Sequence, residues 1–152
     1  MARADSGVDI GDIGTVTLVR LLARATTEQL DAIAASPIAR PLVLTEVFRR
    51  MAAHLRTDRA ISVHAVVRWR IGCGHNNEYE QFQTVIAGGS CVTNTQLDSS
   101  PRITLTLPMA DFLRLATGTA SPARLLIGRR LRIRGDLRFA LRLAGLFDIP
   151  AA

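Results

Sequence analysis

The feature that most constrains this chain is a helical segment near its C-terminal end that is apolar over most of its circumference. From Leu137 to Phe147, a helical wheel places apolar side chains over roughly 220°, whereas an ordinary surface helix needs a stripe of a little over about 100°. Its polar stripe consists of Arg138, Arg142 and Gly145. Such a helix has two apolar surfaces to bury. It must lie between a sheet and another helix or subunit, or one of its surfaces must line a cavity.

The segment before this helix is predicted to form a short helix followed by a strand. Ser121 can cap a helix that starts at Pro122, because a serine oxygen accepts from free backbone N–H groups and proline has no N–H to lose there. Gly128 then supplies a stop. Within 130–134, arginines alternate with apolar residues, which is the period of a strand with one exposed and one buried face. Asp136 can cap the final helix.

Upstream, the chain divides into a tail, a helical segment and a main domain. Residues 1–14 are predicted to be a flexible tail, and residues 15–57 a helical segment packed on the domain. Apolar residues at helical spacing predict helices over 15–23 and 42–55 within that segment. The spacing of Thr26 and Gln29 predicts a capping box for another helix between these two. Residues 58–150 then form the main domain.

The first part of the main domain reads as strands joined by short turns. Alternation predicts strands over 61–71 and 103–107, and turn residues bound two more strands over 79–87 and 91–95. Four strands joined by short turns suggest an antiparallel meander. Trp69 is expected on the core face of the first strand, where its indole N–H needs a hydrogen-bond partner.

One face of this meander is apolar and must be covered. A predicted helix over 109–117 and the final helix supply the cover, and the strand at 131–134 adds a fifth strand. The predicted fold is therefore α+β: a mostly antiparallel five-stranded sheet covered by helices.

The C-terminal part of the chain resembles the signature of the sterol carrier protein 2 (SCP2) sterol-binding domain family. The resemblance covers roughly residues 59–148. The residues that carry it are Asp111-Phe112-Leu113, Thr117-Gly118, Pro122, Leu125, Leu126, the run Gly128-Arg129-Arg130-Leu131-Arg132-Ile133-Arg134-Gly135-Asp136, and the closing Leu146-Phe147. Where the family commonly has lysine in that run, this chain has arginine, which keeps the charge. Leu125 and Leu126 stand where phenylalanine is common, which alters the shape of the cavity.

The resemblance implies an SCP2-like fold with an apolar cavity that binds a sterol, fatty acid, acyl-CoA ester or phospholipid without catalysis and passes it on inside the cell. The alternative is an accessory scaffold that presents an apolar intermediate, for example a quinone precursor, to partner enzymes, as SCP2-like proteins do in bacterial quinone biosynthesis. The predicted ligand-binding residues are Val67, Trp69, Phe112, Leu115, Leu125, Leu126, Phe139, Leu143 and Phe147.

No catalytic or metal site is predicted from the residues. Cys73 and His75 supply two metal ligands, whereas structural zinc needs four and catalytic zinc three. No glycine-rich phosphate loop or nucleophile elbow is present. We therefore expect no enzyme activity, no cofactor and no metal.

The two cysteines are predicted to be free thiols. Cys73 and Cys91 fall near opposite ends of the second strand, so they are up to about 30 Å apart, whereas the Cα atoms of a disulfide are ~6 Å apart.

All 19 basic residues are arginine, and the net charge is +6. Seven arginines fall between Arg124 and Arg142 against one acid, Asp136, so this region is either a solvated face or a landing patch for an anionic membrane surface. Nucleic-acid binding is disfavoured, because no aromatic residues interleave with these arginines to stack on bases.

The N-terminal stretch lacks the basic start and apolar run of a signal peptide. No apolar run approaches the ~20 residues that cross a bilayer. We therefore expect a cytoplasmic protein, and the exclusive use of arginine over lysine fits a GC-rich bacterial genome.

Overall fold

The structure is a computed structural model that describes residues 11, 13–74 and 78–148. Most of the predicted tail, residues 1–14, lies outside the described residues. The helices are α1 (Thr15–Arg24), α2 (Thr27–Ala35), α3 (Ala39–Ala53), α4 (Thr57–Ala60), α5 (Met109–Ala116), α6 (Pro122–Ile127) and α7 (Leu137–Leu143). The strands are β1 (Ala65–Gly72), β2 (Tyr79–Ala87), β3 (Ser90–Asn94), β4 (Ile103–Pro108) and β5 (Arg132–Gly135). The α+β fold predicted from the sequence is confirmed.

The sheet has the strand order β3-β2-β1-β4-β5, so it is not the predicted meander. β1 pairs antiparallel with β2 but parallel with β4, while the other pairings are antiparallel. The chain between β3 and β4 crosses β2 and β1 on one face of the sheet. There the guanidinium of Arg68 donates to the carbonyl of Ser99 at 3.0 Å, and the side-chain amide of Gln83 donates to Asp98 at 3.0 Å. These contacts carry the chain past β1, so the prediction of a simple meander was wrong.

The two faces of the sheet differ in what covers them. The inner face, defined by Trp69 on β1 and Leu105 on β4, lies beneath the helices, and both side chains are buried. Trp69 Nε1 donates to Thr84 Oγ1 at 2.9 Å, which is the partner that its burial requires. The outer face carries the alternate residues of the same strands.

The helices before the sheet contribute to the core. Leu30 of α2 and Leu44 of α3 are fully buried, and Phe48 of α3 packs against the aromatic side chains of the sheet. Thr26 and Gln29 form the reciprocal capping box that their spacing predicts. Helix α3 starts and ends a few residues before the predicted 42–55. Ser36 Oγ accepts a hydrogen bond from the backbone N–H of Ala39, the first residue of the helix.

The final helix is shorter than predicted. After α7 the chain tightens into a 3-10 helix, Ala144–Leu146. Asp136 caps α7 as expected, accepting from the backbone N–H of Phe139 at 3.1 Å. One apolar side of α7 faces inward, but Leu137 and Leu141 on the other side are 48% and 42% exposed. Within the described residues of this single chain only the inner apolar surface is covered, and burial of the other surface against a second subunit stays a prediction.

The turn between α6 and β5 is set by two local signals. Ser121 accepts from the backbone N–H of Arg124 at 3.2 Å, as its position before Pro122 predicts. After Gly128, Arg129 takes a left-handed conformation with φ of 60°, and β5 then begins one residue later than predicted.

Cys73 and Cys91 are free and buried, and burial raises the pKa of both thiols.

Candidate functional site: an apolar cavity beneath the final helix

A cavity of about 590 Å³ lies between the inner face of the sheet and the helices that cover it. The sheet, α3, α5, α7 and the loop between α5 and α6 all contribute to its walls. The lining residues are Met51, Trp69, Leu105, Phe112, Leu115, Ala116, Thr117, Gly118, Thr119, Ala120, Ser121, Pro122, Leu131, Ala140, Leu143, Ala144 and Phe147.

The deep end of the cavity rests on a cluster of aromatic rings. The rings of Trp69 and Phe112 meet edge to face with centroids 5.4 Å apart, and both line the cavity. Behind them, Phe48 packs against Trp69 at 5.5 Å and against Phe112 at 5.0 Å. Such offset and edge-to-face contacts stabilise a fixed arrangement of rings. The apolar end of the cavity is therefore preformed by packing.

The other end of the cavity is the loop Thr117–Ser121, which carries its polar groups. Their side chains are engaged locally: Thr117 Oγ1 donates to the carbonyl of Leu113 at 2.8 Å, and Thr119 Oγ1 donates to the carbonyl of Arg114 at 3.2 Å. These contacts hold the loop in place. The cavity thus has an apolar end at the sheet and a polar rim at this loop.

The chemistry of the lining is that of a binding site. None of the lining residues is ionisable, so the wall offers no acid or base to a bound molecule. Among the described residues, no group of three or more histidine, cysteine, aspartate or glutamate side chains is placed to hold a metal ion. The arrangement can remove an apolar molecule from water, and the free energy of such burial grows with its apolar area.

The structure brings five of the nine sequence-predicted site residues together around the cavity. These residues come from β1, α5, α7 and the segment after α7, where Phe147 pairs with Leu55 in an isolated β-bridge. They are Trp69, Phe112, Leu115, Leu143 and Phe147. Their elements are distant in sequence but share the inner face of the sheet. Burial on that face follows from the apolar alternation of β1 and the apolar sides of α5 and α7.

The other four predicted residues lie outside the lining. Val67 is on the inner face of β1 and fully buried, but it packs into the core beyond the cavity. Phe139 is buried on α7, with the guanidinium of Arg102 stacked 4.2 Å from its ring centre. Leu125 and Leu126 lie on the short helix α6. Its first residue, Pro122, lines the cavity, but the two leucines do not.

Sequence reasoning also missed lining residues. Leu105 and Leu131 alternate with polar residues in their strands, and Met51 has helical spacing with other apolar residues, but nothing local separates a cavity wall from ordinary core. Ala140 and Ala144 line the cavity because their small side chains leave space beneath the helix. The rim loop carries no apolar signal at all.

A small α+β domain with a preformed apolar cavity and no ionisable lining is the architecture of a lipid-binding protein. The family model of the SCP-2 sterol transfer family matches residues 44–148. The chain belongs to this family, as its C-terminal residues indicated. SCP2 domains are in general non-catalytic domains that bind or transfer lipids.

Comparison with solved structures gives the same fold. The stereoselective inverting sec-alkylsulfatase Pisa1 from Pseudomonas sp. aligns with a TM-score of 0.62 and 18% identity over 74% of this chain, which spans only 17% of the length of that enzyme. The UbiJ-SCP2 ubiquinone synthesis protein aligns with a TM-score of 0.55 and 14% identity, over 70% of this chain and 94% of that one. Palmitated SCP2L2 from Aedes aegypti aligns with a TM-score of 0.50 and 20% identity, over 65% and 88%.

At these identities the structural likenesses establish the fold alone. No curated protein sequence matches the chain. In the described part of the chain, none of the helices has both the length and the apolar character that crossing a membrane requires.

Proposed function

We propose that this protein binds a single-chain lipid in the cavity and carries it, without catalysis, in the cytoplasm. The observation that carries the proposal is the apolar cavity of about 590 Å³ beneath α7. At about 30 Å³ per non-hydrogen atom, which is the volume that a water molecule takes in the liquid, such a space holds about 20 atoms. A common long-chain fatty acid has about this many, whereas sterols and two-chain phospholipids have more.

The polarity of the cavity supports one orientation for the lipid. The acyl chain lies against Trp69 and Phe112, where each buried methylene contributes about 0.8 kcal/mol. The head group lies at the rim, Thr117–Ser121, because burying a polar head among the rings without hydrogen bonds costs several kcal/mol. In this arrangement Leu143 and Phe147 cover the chain from the side of α7.

The experiment is lipid binding by two matched variants of α7. Native mass spectrometry of the purified protein and titration of a delipidated sample with a fluorescent fatty acid should show one bound chain. Leu143→Arg places a charge in the cavity wall and should abolish binding. Leu141→Arg adds the same charge two residues earlier on the exposed side of the helix and should bind like the wild type. A folded wild type that takes up no fatty acid would defeat the proposal.

A second pair of variants tests the cavity without adding charge. Ala144 lines the cavity at an exposed position, so Ala144→Trp fills the space while leaving the core contacts in place. Ala123→Trp adds the same side chain to α6 at an exposed position outside the lining. Loss of fatty acid binding in the first variant alone supports occupancy of the cavity. Equal binding by both variants would place the lipid elsewhere.

We also propose that the region Arg124–Arg142 makes transient contact with an anionic membrane surface. Ile127 is 83% exposed at the end of α6, and the exposed Leu137 and Leu141 flank Arg138 on α7. Exposed apolar side chains beside arginines favour the interface of an anionic bilayer. Co-sedimentation with phosphatidylglycerol vesicles should fall for Ile127→Glu and stay unchanged for Val92→Glu, at an exposed position on β3 outside this region. Equal losses would contradict this contact.

The alternative function is a scaffold that presents an apolar intermediate, for example a quinone precursor, to partner enzymes. It is favoured by the helices α1 and α2, which lie before the matched residues 44–148, and by the fold shared with the ubiquinone synthesis protein. Val16 and Leu21 on α1 are exposed apolar side chains that a partner can contact. Replacing both by glutamine should release co-purifying enzymes while preserving fatty acid binding. If free lipid transfer between vesicles persists with no enzyme bound, the scaffold role is excluded.

A further inference from the structure

The outer face of the sheet, opposite the cavity, carries a trough with arginine walls. Two cross-strand rows pass over β1, β4 and β5, one consisting of Arg68, Thr104 and Arg134 and the other of Arg70, Thr106 and Arg132. Because threonine is short and arginine is long, β4 forms the floor and its two neighbours form the walls. Strand geometry sets the walls about 9–10 Å apart and repeats the arginines of each wall about every 6.6 Å. We call this feature the arginine trough.

The arginine trough is concave and strongly positive. It comprises two adjoining depressions of about 370 and 430 Å³. The first is lined by four arginines and the second by three more, namely Arg68, Arg70, Arg102 and Arg134, then Arg129, Arg130 and Arg132. Glu78 is the acidic residue in these linings. The trough therefore has a large excess of positive charge.

Most of that charge is not neutralised within the protein. Arg102 pairs with Asp136 at 2.9 Å and Arg130 pairs with Asp111 at 2.8 Å. In the part of the chain that the structure describes, Arg70, Arg132 and Arg134 form no ion pair. Like charges held this close on one rigid surface repel one another, so an anionic partner gains free energy by separating them.

We propose that the arginine trough binds an extended acidic segment of a partner protein. An extended peptide that lies edge-on over Thr104 and Thr106 points its alternate side chains at opposite walls, and each set repeats at the spacing of the arginines. Carboxylates on the two sides then meet guanidinium groups, which bind carboxylates in a bidentate manner. A run of consecutive acidic residues satisfies both walls at once.

Two other polyanions fit the arginine trough less well. Single-stranded nucleic acid requires aromatic side chains on which bases stack, but Tyr79, the aromatic residue in the lining, is covered by the guanidinium of Arg70 at 4.3 Å. A membrane requires apolar side chains that enter the interface, but Leu107, the large apolar residue of the lining, is buried. The exposed Ile127, Leu137 and Leu141 of the proposed membrane contact lie outside both linings. The acidic peptide needs neither feature.

This inference goes beyond the lipid site and does not depend on it. Leu105 points into the cavity from between Thr104 and Thr106, so the two sites lie on opposite faces of the same strand. A partner in the arginine trough leaves the rim Thr117–Ser121 uncovered. The protein can then be held by a partner while its cavity remains open.

The experiment measures binding of a fluorescently labelled peptide with a run of glutamates to the full chain by anisotropy. The trough variant is Arg70→Gln, Arg132→Gln and Arg134→Gln combined. The control, Arg20→Gln, Arg24→Gln and Arg138→Gln combined, removes the same charge from exposed positions on α1 and α7. Affinity should fall about tenfold or more in the trough variant and less than about twofold in the control. Absence of binding to the wild type, or equal losses in the two variants, would overturn the proposal.

Competition separates the peptide from the other polyanions. A peptide of the same composition with its glutamates separated by glycine and serine should bind more weakly than the continuous run. Oligothymidylate and phosphatidylglycerol vesicles should also bind more weakly, and the trough variant should retain its thermal unfolding midpoint and its fatty acid binding. Tighter binding of oligothymidylate or vesicles that the trough variant loses would overturn the peptide in favour of that ligand.

Discussion

The two faces of the sheet are made of neighbouring residues of the same strands, yet their chemistry is opposite. On β1, Trp69 is 2% exposed and lines the apolar cavity, while Arg70 beside it lines the arginine trough. On β4, Leu105 lines the cavity, while Thr104 and Thr106 form the floor of the trough. Because side chains alternate along a strand, one strand can build two sites. The comparison teaches that moving one position along a strand changes which property a substitution affects.

The largest expected difference is between adjacent residues of β1. Trp69→Ala removes a buried aromatic side chain and should lower the free energy of unfolding by about 3–5 kcal/mol. Arg70→Ala removes a half-buried cation stacked on Tyr79 and should lower it by about 1 kcal/mol or less. Urea unfolding followed by far-UV circular dichroism measures both. Similar decreases in the free energy of unfolding for the two variants would contradict this difference between the inner and outer faces.

A glycine at the end of β5 should have the next largest effect. Gly135 has a φ of 103°, and a Cβ there would lie 2.2 Å from the carbonyl oxygen of Arg102. Gly135→Ala should therefore cost about 2–4 kcal/mol from strain and overpacking. Gly74 has a similar φ of 104° but open space around it, so Gly74→Ala should cost less. The thermal unfolding midpoints of the two variants measure this difference. An equal decrease in both midpoints would contradict a role for the close contact between Gly135 and the backbone of Arg102.

The inner face also contains a polar contact that can be tested alone. Thr84→Val leaves the buried N–H of Trp69 without an acceptor and should cost about 1–3 kcal/mol. Thr93→Val removes the next hydroxyl in the chain of contacts and should cost about 1 kcal/mol or less. Trp69 is the single tryptophan, so intrinsic fluorescence reports its surroundings. A blue-shifted emission is expected for Thr84→Val only, because valine replaces the polar partner of the indole by an apolar side chain, and an unchanged spectrum would contradict the role of this hydrogen bond.

The smallest expected effect is a pH dependence at the start of α7. The backbone N–H of Phe139 and then the guanidinium of Arg102 hold the pKa of Asp136 below its ordinary value. Because the folded pKa lies below the unfolded one, this contribution to stability is complete above the unfolded pKa and is lost as pH falls through the folded value.

The matched change is Asp136→Asn, which keeps a capping side chain but removes the charge. Its thermal unfolding midpoint should lie slightly below that of the wild type at pH 7, and the gap should close as the pH falls below about 4. Asp58→Asn, at an exposed position on α4, serves as the control. A gap that stays constant between pH 7 and pH 3 would contradict the contribution of this carboxylate.

Local features of the fold could be predicted because their causes are local. The caps formed by Thr26, Ser121 and Asp136 depend on residues within three positions of each helix start. The strand over 79–87 lies between turn residues that bound it on both sides and has the predicted bounds. The parallel pairing of β1 with β4 could not be predicted in this way, since it depends on where the chain after β3 crosses the sheet.

In the candidate site, too, some features have local causes and others depend on how distant elements pack. Trp69 and Leu143 could be expected on an apolar surface from their spacing, but Phe139 has the same spacing signal and lies outside the lining. The difference depends on the small Ala140 and Ala144, which leave room beneath α7, and on the rim Thr117–Ser121, which closes the other end. A cavity is a property of distances between elements, and a periodic pattern carries no information about those distances.

The sequence by itself determined the helices, the strands, the family and the apolar character of one face, because propensity, capping and periodicity act within a few residues. Only the tertiary structure decided that β5 lies two strands from β1, so that arginines distant in sequence line one trough, and that the covering helices stand far enough from the sheet to leave a cavity. Both results depend on strand order and packing distance, which are set by the whole chain at once.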